Sequence, residues 1–174
     1  MTKDVMDAIR DRRSIRKFKP EPLPPATVSR ILEAALWAPS AGNLQPWKFY
    51  AVYSQSKKEE IMKAALDQKV LAEAPLIVVV CADTSIARSR YGERGEKLYC
   101  LQDTAAAVQN MLLAATAFGV GSLWIGAFQE EVVKKILEIQ GELRPVAIIA
   151  LGYGEMEPNQ PSRRSLAETV YVVE

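Results

Sequence analysis

Six cationic side chains fall between residues 10 and 19: Arg10, Arg12, Arg13, Arg16, Lys17 and Lys19, opposed only by Asp11. An arginine presents a planar fork of donors that pairs bidentately with phosphate, and Ser14 in the middle of the run adds a hydroxyl. The run reads as a local anion site. A solvated basic surface or a weak nucleic-acid arm explains the same residues and stays open on this run alone. A second constellation is Ala38-Pro39-Ser40-Ala41-Gly42-Asn43-Leu44-Gln45-Pro46-Trp47. Its small side chains let a flat ligand approach the backbone, and the amides of Asn43 and Gln45 suit a ring that carries both donors and acceptors. A helix-to-strand turn punctuated by Pro and Gly is the alternative. A third segment, GVGSLWIGAF at 119–128, is glycine-rich, but its spacing fits neither the dinucleotide fingerprint nor the P-loop, and no Lys follows. Gly126 still offers exposed backbone.

Composition narrows the chemistry further. The 174 residues include no histidine, which excludes Ser-His-Asp and Cys-His triads, imidazole metal ligands and imidazole acid–base relays. Twenty-two Lys and Arg stand against 21 Asp and Glu, so no overall surplus drives binding to nucleic acid or membrane. Cys81 and Cys100 have neither a disulfide framework nor a metal-ligand spacing, and Cys81, closing an apolar run, belongs in a core. No metal site is expected. The N-terminus has early acidic residues and no apolar stretch of signal-peptide length, so a cytoplasmic protein is expected. Thr104 to Gln129 carries no charge and is long enough to cross a bilayer, but Gln109, Asn110 and the glycines at 119, 121 and 126 favour a buried helix followed by a strand.

The elements that must position these residues can be read from the apolar period. Residues 3–12 predict a helix with Val5, Met6 and Ile9 on one face; a proline-rich connector follows, then a helix opened by Pro25 and closed before Pro39, with Val28, Ile31, Leu32, Ala35 and Leu36 in phase. Trp47 to Tyr53 alternates as a strand, 57–66 is a polar helix, and LIVVVCA after Pro75 is the best central strand. Residues 83–97 look like a solvated loop or frayed helix. Residues 98–118 predict the most buried helix, with Leu101, Ala105, Val108, Leu112 and Ala115 as its stripe. A short strand in GVGSLWIGAF, an amphipathic helix in EEVVKKILEI and a strand beginning after Pro145 complete the pattern, and TVYVV near the end alternates without an obvious partner. There are no internal repeats.

Taken jointly and in this order, RRSIRKF, APSAGNLQPWKF, QKVLAEAPLIVVVCAD, DTAAAVQNMLLAA, GVGSLWIGAF and PVAIIALGY resemble the flavin-dependent nitroreductase family over nearly the whole chain. The resemblance implies one α+β domain over 1–174, with a central, mostly antiparallel sheet flanked by helices, in an intertwined homodimer with FMN at the interface. It assigns Arg12, Arg13, Ser14 and Arg16 to the phosphate, ribityl chain and pyrimidine edge. Pro39, Ser40, Ala41 and Asn43 match the loop that reaches the same flavin from the other subunit. Gln68 falls where an amide contacts the pyrimidine ring, and Ile125, Gly126 and Ala127 match the backbone near flavin N5. Arg163, with Arg164, fits a C-terminal basic position that closes on the phosphate, although Ser165 stands where a proline often follows.

In such a protein the redox chemistry belongs to the flavin, so no catalytic side chain is expected; Arg16 and Gly126 are the candidates for tuning it. NAD(P)H would donate electrons and a flat small-molecule acceptor (nitroaromatic, quinone or flavin) would take them in a ping-pong cycle. Related folds run dehalogenation and flavin breakdown, and a flavin store or sensor without useful turnover also fits. A nucleic-acid binder using the basic arm fits less well, given the near-zero net charge. Nothing resembles a fingerprint for the 2′-phosphate that separates NADPH from NADH, and 83–97 matches no known motif.

Overall fold

The segment Leu76–Asp83 is apolar at every position but the last, so it must be covered on both faces and paired on both edges. The computed structural model, which describes residues 3–156 and 158–174, gives it that environment. Strand β2 (Leu76–Asp83) lies between β1 (Trp47–Val52) and β4 (Leu143–Gly152), and β3 (Gly121–Ile125) pairs with the far side of β4. The order is β1-β2-β4-β3, with every neighbouring pair antiparallel. Strand β4 begins at Leu143, two residues before the proline that sequence reasoning made its boundary. Pro145 is tolerated because it stands opposite Cys81, where the register slips by a bulge and the ladder does without its missing N–H.

Alternation along β2 and β4 divides the interior into two layers. Leu76, Val78 and Val80, with Ala147, Ile149 and Leu151, face helices α2 (Pro25–Leu36) and α6 (Cys100–Ala117). Ile77, Val79 and Cys81, with Ile148 and Ala150, face α3 (Gln55–Ala64), α4 (Val70–Glu73) and α7 (Glu130–Ile136). This is the α+β architecture expected, with helices on both sides of an antiparallel sheet.

Several local expectations are corrected. Helix α1 spans Val5–Asp11, capped by Asp4, whose carboxylate accepts from the N–H groups of Met6 (2.8 Å) and Asp7 (3.0 Å). Its predicted apolar face of Val5, Met6 and Ile9 is exposed within one chain, and Ala8 is the residue it buries. On α6 the buried stripe is broader and rotated from the prediction: Cys100, Asp103, Thr104, Ala107 and Met111 join Val108, Leu112 and Ala115, while Leu101 and Ala105 are half-buried. A helix wedged against both α2 and the sheet must fill two directions, which a single stripe does not describe. Residues 83–97 are mostly helical: α5 (Thr84–Arg94), kinked at Gly92 (φ 59°), runs through a π-turn at Gly95–Tyr99 directly into α6. Gly95 permits this, since a Cβ there would collide with the Ala87 carbonyl oxygen. At the C-terminus, α8 (Leu166–Thr169) is followed by residues that join no strand, and Val173 is 93% exposed. Among the described residues, no helix is long and apolar enough to cross a membrane.

Both cysteines are free and buried. Burial pushes the Cys81 thiol up to about 12 and the Cys100 thiol upward as well. The thiolate is the reactive form, so neither cysteine should react with a thiol reagent in the native protein. Titration with Ellman's reagent should therefore find both thiols only in denaturant; prompt native labelling would contradict the packing.

Candidate functional site

The basic arm is held by backbone pairing along the outer edge of β3. Helix α1 ends where the Arg12 N–H donates to the Ala8 carbonyl (3.0 Å), and the chain extends. Ser14 then bridges Ser122 in parallel, with Ile15 N–H donating to the Ser122 carbonyl at 2.9 Å. Phe18 bridges Gly154, Lys19 N–H donates to the Tyr153 carbonyl (2.8 Å), and Glu155 N–H donates to that of Lys17 (3.1 Å). Two glycines make the seat. Gly121 and Gly152 are register partners; a Cβ on Gly121 would lie 2.8 Å from Ile15 Cγ1, and one on Gly152 would lie 2.9 Å from Phe18 Cδ1 and 2.6 Å from Pro75 Cδ. Ile15 and Phe18, both buried, thus anchor a segment whose intervening side chains point elsewhere.

Those side chains divide by role. Arg13 turns back onto the end of α1, its Nη1 donating to the carbonyls of Arg10 (2.5 Å) and Arg12 (3.0 Å), and lines a cavity of about 630 Å³ with Lys19, Ser122 and Tyr153. Asp11 is engaged by Lys3 at 2.6 Å, and that hydrogen bond holds its carboxyl below the ordinary range. Arg12, half-buried, and Arg16, exposed, have no carboxylate partner among the described residues. The structure therefore supplies two guanidinium groups without a carboxylate partner beside the Ser14 hydroxyl on a fixed segment, Arg16 Nη1 donating to the Ser14 carbonyl at 3.4 Å.

Four residues along the same strand the chain leaves β3. Ile125 is buried and ends the strand, while Gly126 and Ala127 are exposed. Gln68 reaches this point from the turn before α4, its amide donating to the carbonyls of Ala65 (2.9 Å) and Ala127 (3.2 Å). Apart from its own chain neighbours, no described residue comes within 4 Å of where a Cβ on Gly126 would stand. Gly126 and Trp124 border a second cavity of about 330 Å³, which reaches Thr104 and Val108 of α6. At its rim Arg144 grips Glu130 bidentately at 2.8 and 2.9 Å, holding that carboxyl below its usual range.

The loop containing Pro39, Ser40, Ala41 and Asn43 is shaped by three left-handed residues, Gly42 (φ 56°), Asn43 (φ 55°) and Gln45 (φ 52°), around a 3₁₀ turn at Ala41–Asn43. The Ser40 hydroxyl accepts from Gln45 N–H at 3.0 Å and closes the turn on itself. Helix α6 holds the loop itself at one point, where Asp103 Oδ1 accepts from Ala41 N–H (3.1 Å), and holds the end of α2 before it, where Asn110 Nδ2 donates to the Ala34 carbonyl (3.2 Å). Asp103 is only 7% exposed, and its Oδ2 has no partner among the described residues. Sequence reasoning missed it. The available signal was position: Asp103 shares the helical face of Cys100, Ala107 and Met111, where a carboxylate requires a buried donor.

Burial pushes the Asp103 carboxyl upward, opposed by the Ala41 hydrogen bond. A raised native pKa means that the folded state binds this proton more tightly than the unfolded state. Stability from this group is thus greatest below the ordinary aspartate pKa and is lost as pH rises through the native value. Asp103→Asn keeps the acceptor for Ala41 and removes the titration. Its urea midpoint relative to wild type should therefore rise as pH climbs from the ordinary aspartate pKa through the raised native one, and then level off. A pH-independent difference would refute this account.

The arm, Gln68 and Ile125–Ala127 are thus brought together around β3, at one edge of the sheet. The Pro39–Asn43 loop leads into β1, at the other edge, three strand spacings or roughly 14 Å away. Arg163 and Arg164 are joined to neither. They lie on an exposed tail, where Arg163 Nη1 donates to the carbonyls of Pro161 (3.2 Å) and Ser162 (3.0 Å).

An antiparallel sheet covered on both faces by helices, with a basic arm along one edge, defines an α+β protein. A nitroreductase family protein from Streptococcus pneumoniae has this fold, with 25% identity and a TM-score of 0.91 over 98% of this chain and 100% of that one. The NADPH:FMN oxidoreductase from Vibrio harveyi, solved with NAD+, matches in fold at 24% identity, with a TM-score of 0.89 over 98% of this chain and 77% of that one. An NADH dehydrogenase from Thermus thermophilus is 34% identical over 194 residues, covering 96% of this chain and 94% of its own. The profile of the nitroreductase family matches residues 9–70 and 63–153. The chain belongs to the nitroreductase family, a family of oxidoreductases.

Proposed function

We propose that the protein is an FMN-dependent oxidoreductase that takes electrons from NAD(P)H and passes them to a flat, electron-poor acceptor in a ping-pong cycle. One observation carries this reading: two arginines without carboxylate partners flank Ser14 where the arm pairs with Ser122, and a hydrogen-bonding edge of Gln68, Gly126 and Ala127 lies four residues along the same strand. Four strand residues span roughly 13 Å, suited to a ligand with a phosphate at one end and a hydrogen-bonding ring at the other. The open space beside Gly126 fits the same ligand. When bound, FMN supplies the electron transfer between nicotinamide and acceptor.

The chain's own residues bind and bias. Arg12 and the Ser14 hydroxyl bind the phosphate, with Arg13 turned toward the end of α1 to fix the arm's direction. Arg16 places positive charge by the pyrimidine edge, which favours the electron-rich reduced form. Gln68 and the Gly126–Ala127 backbone orient the ring.

The functional unit is a homodimer in this reading. Pro39, Ser40, Ala41 and Asn43 sit at the sheet edge opposite the arm, so they reach a flavin of the partner subunit and not their own. Apolar residues left exposed by one chain give the partner its contact: Val5, Met6 and Ile9 on α1, Trp37 at 86% exposure, and the tail from Leu166 to Val173. Arg163 and Arg164 close on the phosphate as that tail docks.

The test is the visible spectrum of the purified protein with added FMN, followed anaerobically by NADH and NADPH, beside sedimentation of the same sample. Flavin bands that shift on binding and bleach with a nicotinamide, on a particle of twice the chain mass, are expected. Absence of flavin binding, or bands that no nicotinamide bleaches, would overturn the reading.

A further inference from the structure

Helix α5 brings a second cationic group to the Pro39–Asn43 loop. A Cβ on Gly42 would collide with the Tyr91 hydroxyl and lie 3.2 Å from Arg90 Nε, so α5 packs directly on the backbone of this turn. Around that contact Arg90 stands 5.8 Å from the centre of the Tyr91 ring, Arg94 stands 5.4 Å from that of Tyr99, and the two rings meet edge to face at 5.4 Å. Arg94 Nε donates to the Tyr99 hydroxyl at 2.9 Å.

The segment holds four cations and two carboxylates, and the pairing is selective. Glu93 pairs with Lys97, and Glu96 with Arg88, which also holds Glu142. Arg90 and Arg94 have no carboxylate partner among the described residues. They stand on either side of Gly92, whose left-handed backbone (φ 59°) kinks the helix between them, and each adjoins one ring of the Tyr91–Tyr99 pair. Their charge is left for something outside the chain, and the planar guanidinium and phenol surfaces around it favour a flat partner.

We propose that Arg90 and Arg94, framed by Tyr91 and Tyr99, form a recognition site for the anionic group of an aromatic electron acceptor, such as an aryl carboxylate. The inference rests on the reading above, because it is the loop at Gly42 that carries this site to the flavin. It names the acceptor class that reading leaves general: flat molecules whose ring is reduced while a carboxylate at the periphery is held by the two arginines. Exposed arginines on a helix surface can be replaced without unsettling the core.

The experiment compares wild type with Arg90→Gln/Arg94→Gln, both as FMN-loaded protein, using 4-nitrobenzoate and neutral 4-nitrobenzyl alcohol as probes. The ratio of kcat/KM for the anionic over the neutral acceptor should fall at least tenfold in the variant. Calorimetric affinity of the oxidised protein for 4-nitrobenzoate should fall by a similar factor, and wild-type affinity should weaken with added salt. An unchanged ratio together with unchanged affinity would overturn the proposal. If the wild type binds no flavin, the functional reading fails separately. Calorimetry on that protein still decides the anion site, since 4-nitrobenzoate binding lost in the variant supports it and equal or absent binding in both refutes it.

Discussion

Replacing Arg12 and Arg16 together by alanine should weaken FMN binding by about 3 kcal/mol or more, roughly a hundredfold or more in Kd, because each removes a charge-assisted contact. The arm itself should stay in place. Its position is set by the backbone bonds of Ile15, Lys17 and Lys19 and by the buried Ile15 and Phe18 side chains, none of which the substitutions touch. Equilibrium dialysis with FMN gives the affinity, and a urea melt without ligand tests the fold. A Kd unchanged in the double variant would remove the arm from the binding site.

The second large effect is expected far from any charged group. Gly152→Val puts a branched side chain where even a single Cβ would lie 2.6 Å from Pro75 and 2.9 Å from Phe18. Pro75 is a rigid ring at the entrance to β2, so Phe18 must give way. Overpacking of this kind costs about 3 kcal/mol, read as a lower urea midpoint with an unchanged slope. Phe18 is part of the arm, so FMN affinity should fall with stability, although Gly152 lies at the end of β4 and carries no functional group. Adding Phe18→Ala should return part of the lost stability, as expected for two residues competing for one space. Additive losses in the double variant would show that the steric contact is not what matters.

The elements were largely readable because the apolar period states them. LIVVVCAD had to be a covered strand, and Pro25 to Leu36 a helix. What the period does not state is which face meets a neighbour. Val5, Met6 and Ile9 are in phase and exposed; Ala8 between them is buried, because α1 lies against its own chain on the side its larger residues avoid. Asp103 and the Gly121–Gly152 pair were missed for a related reason. Their roles are relations between segments far apart in the chain: an acceptor for Ala41, and a gap for Ile15 and Phe18. The cationic arm was legible in its own residues as an anion site, its partner and the roles of Gln68 and Ala127 came only through the joint order of motifs, and the hydrogen bond from Gln68 to Ala127 was not foreseen. Residues 83–97 read only as a solvated loop or frayed helix, because their charges pair in three dimensions, Arg88 reaching both Glu96 and Glu142, which composition alone does not reveal.

The pairing of the arm with β3 also bears on self-association. An outer strand with unpaired amides and carbonyls is a template for another chain, and here residues 14–15 cover part of that template at Ser122. A ligand held by Arg12 and Arg16 would pin the cover down, while its loss would let the cover fray and bare the strand beneath. Cofactor-depleted preparations should therefore aggregate before they unfold, and added phosphate-bearing ligand should suppress that aggregation at concentrations near its dissociation constant.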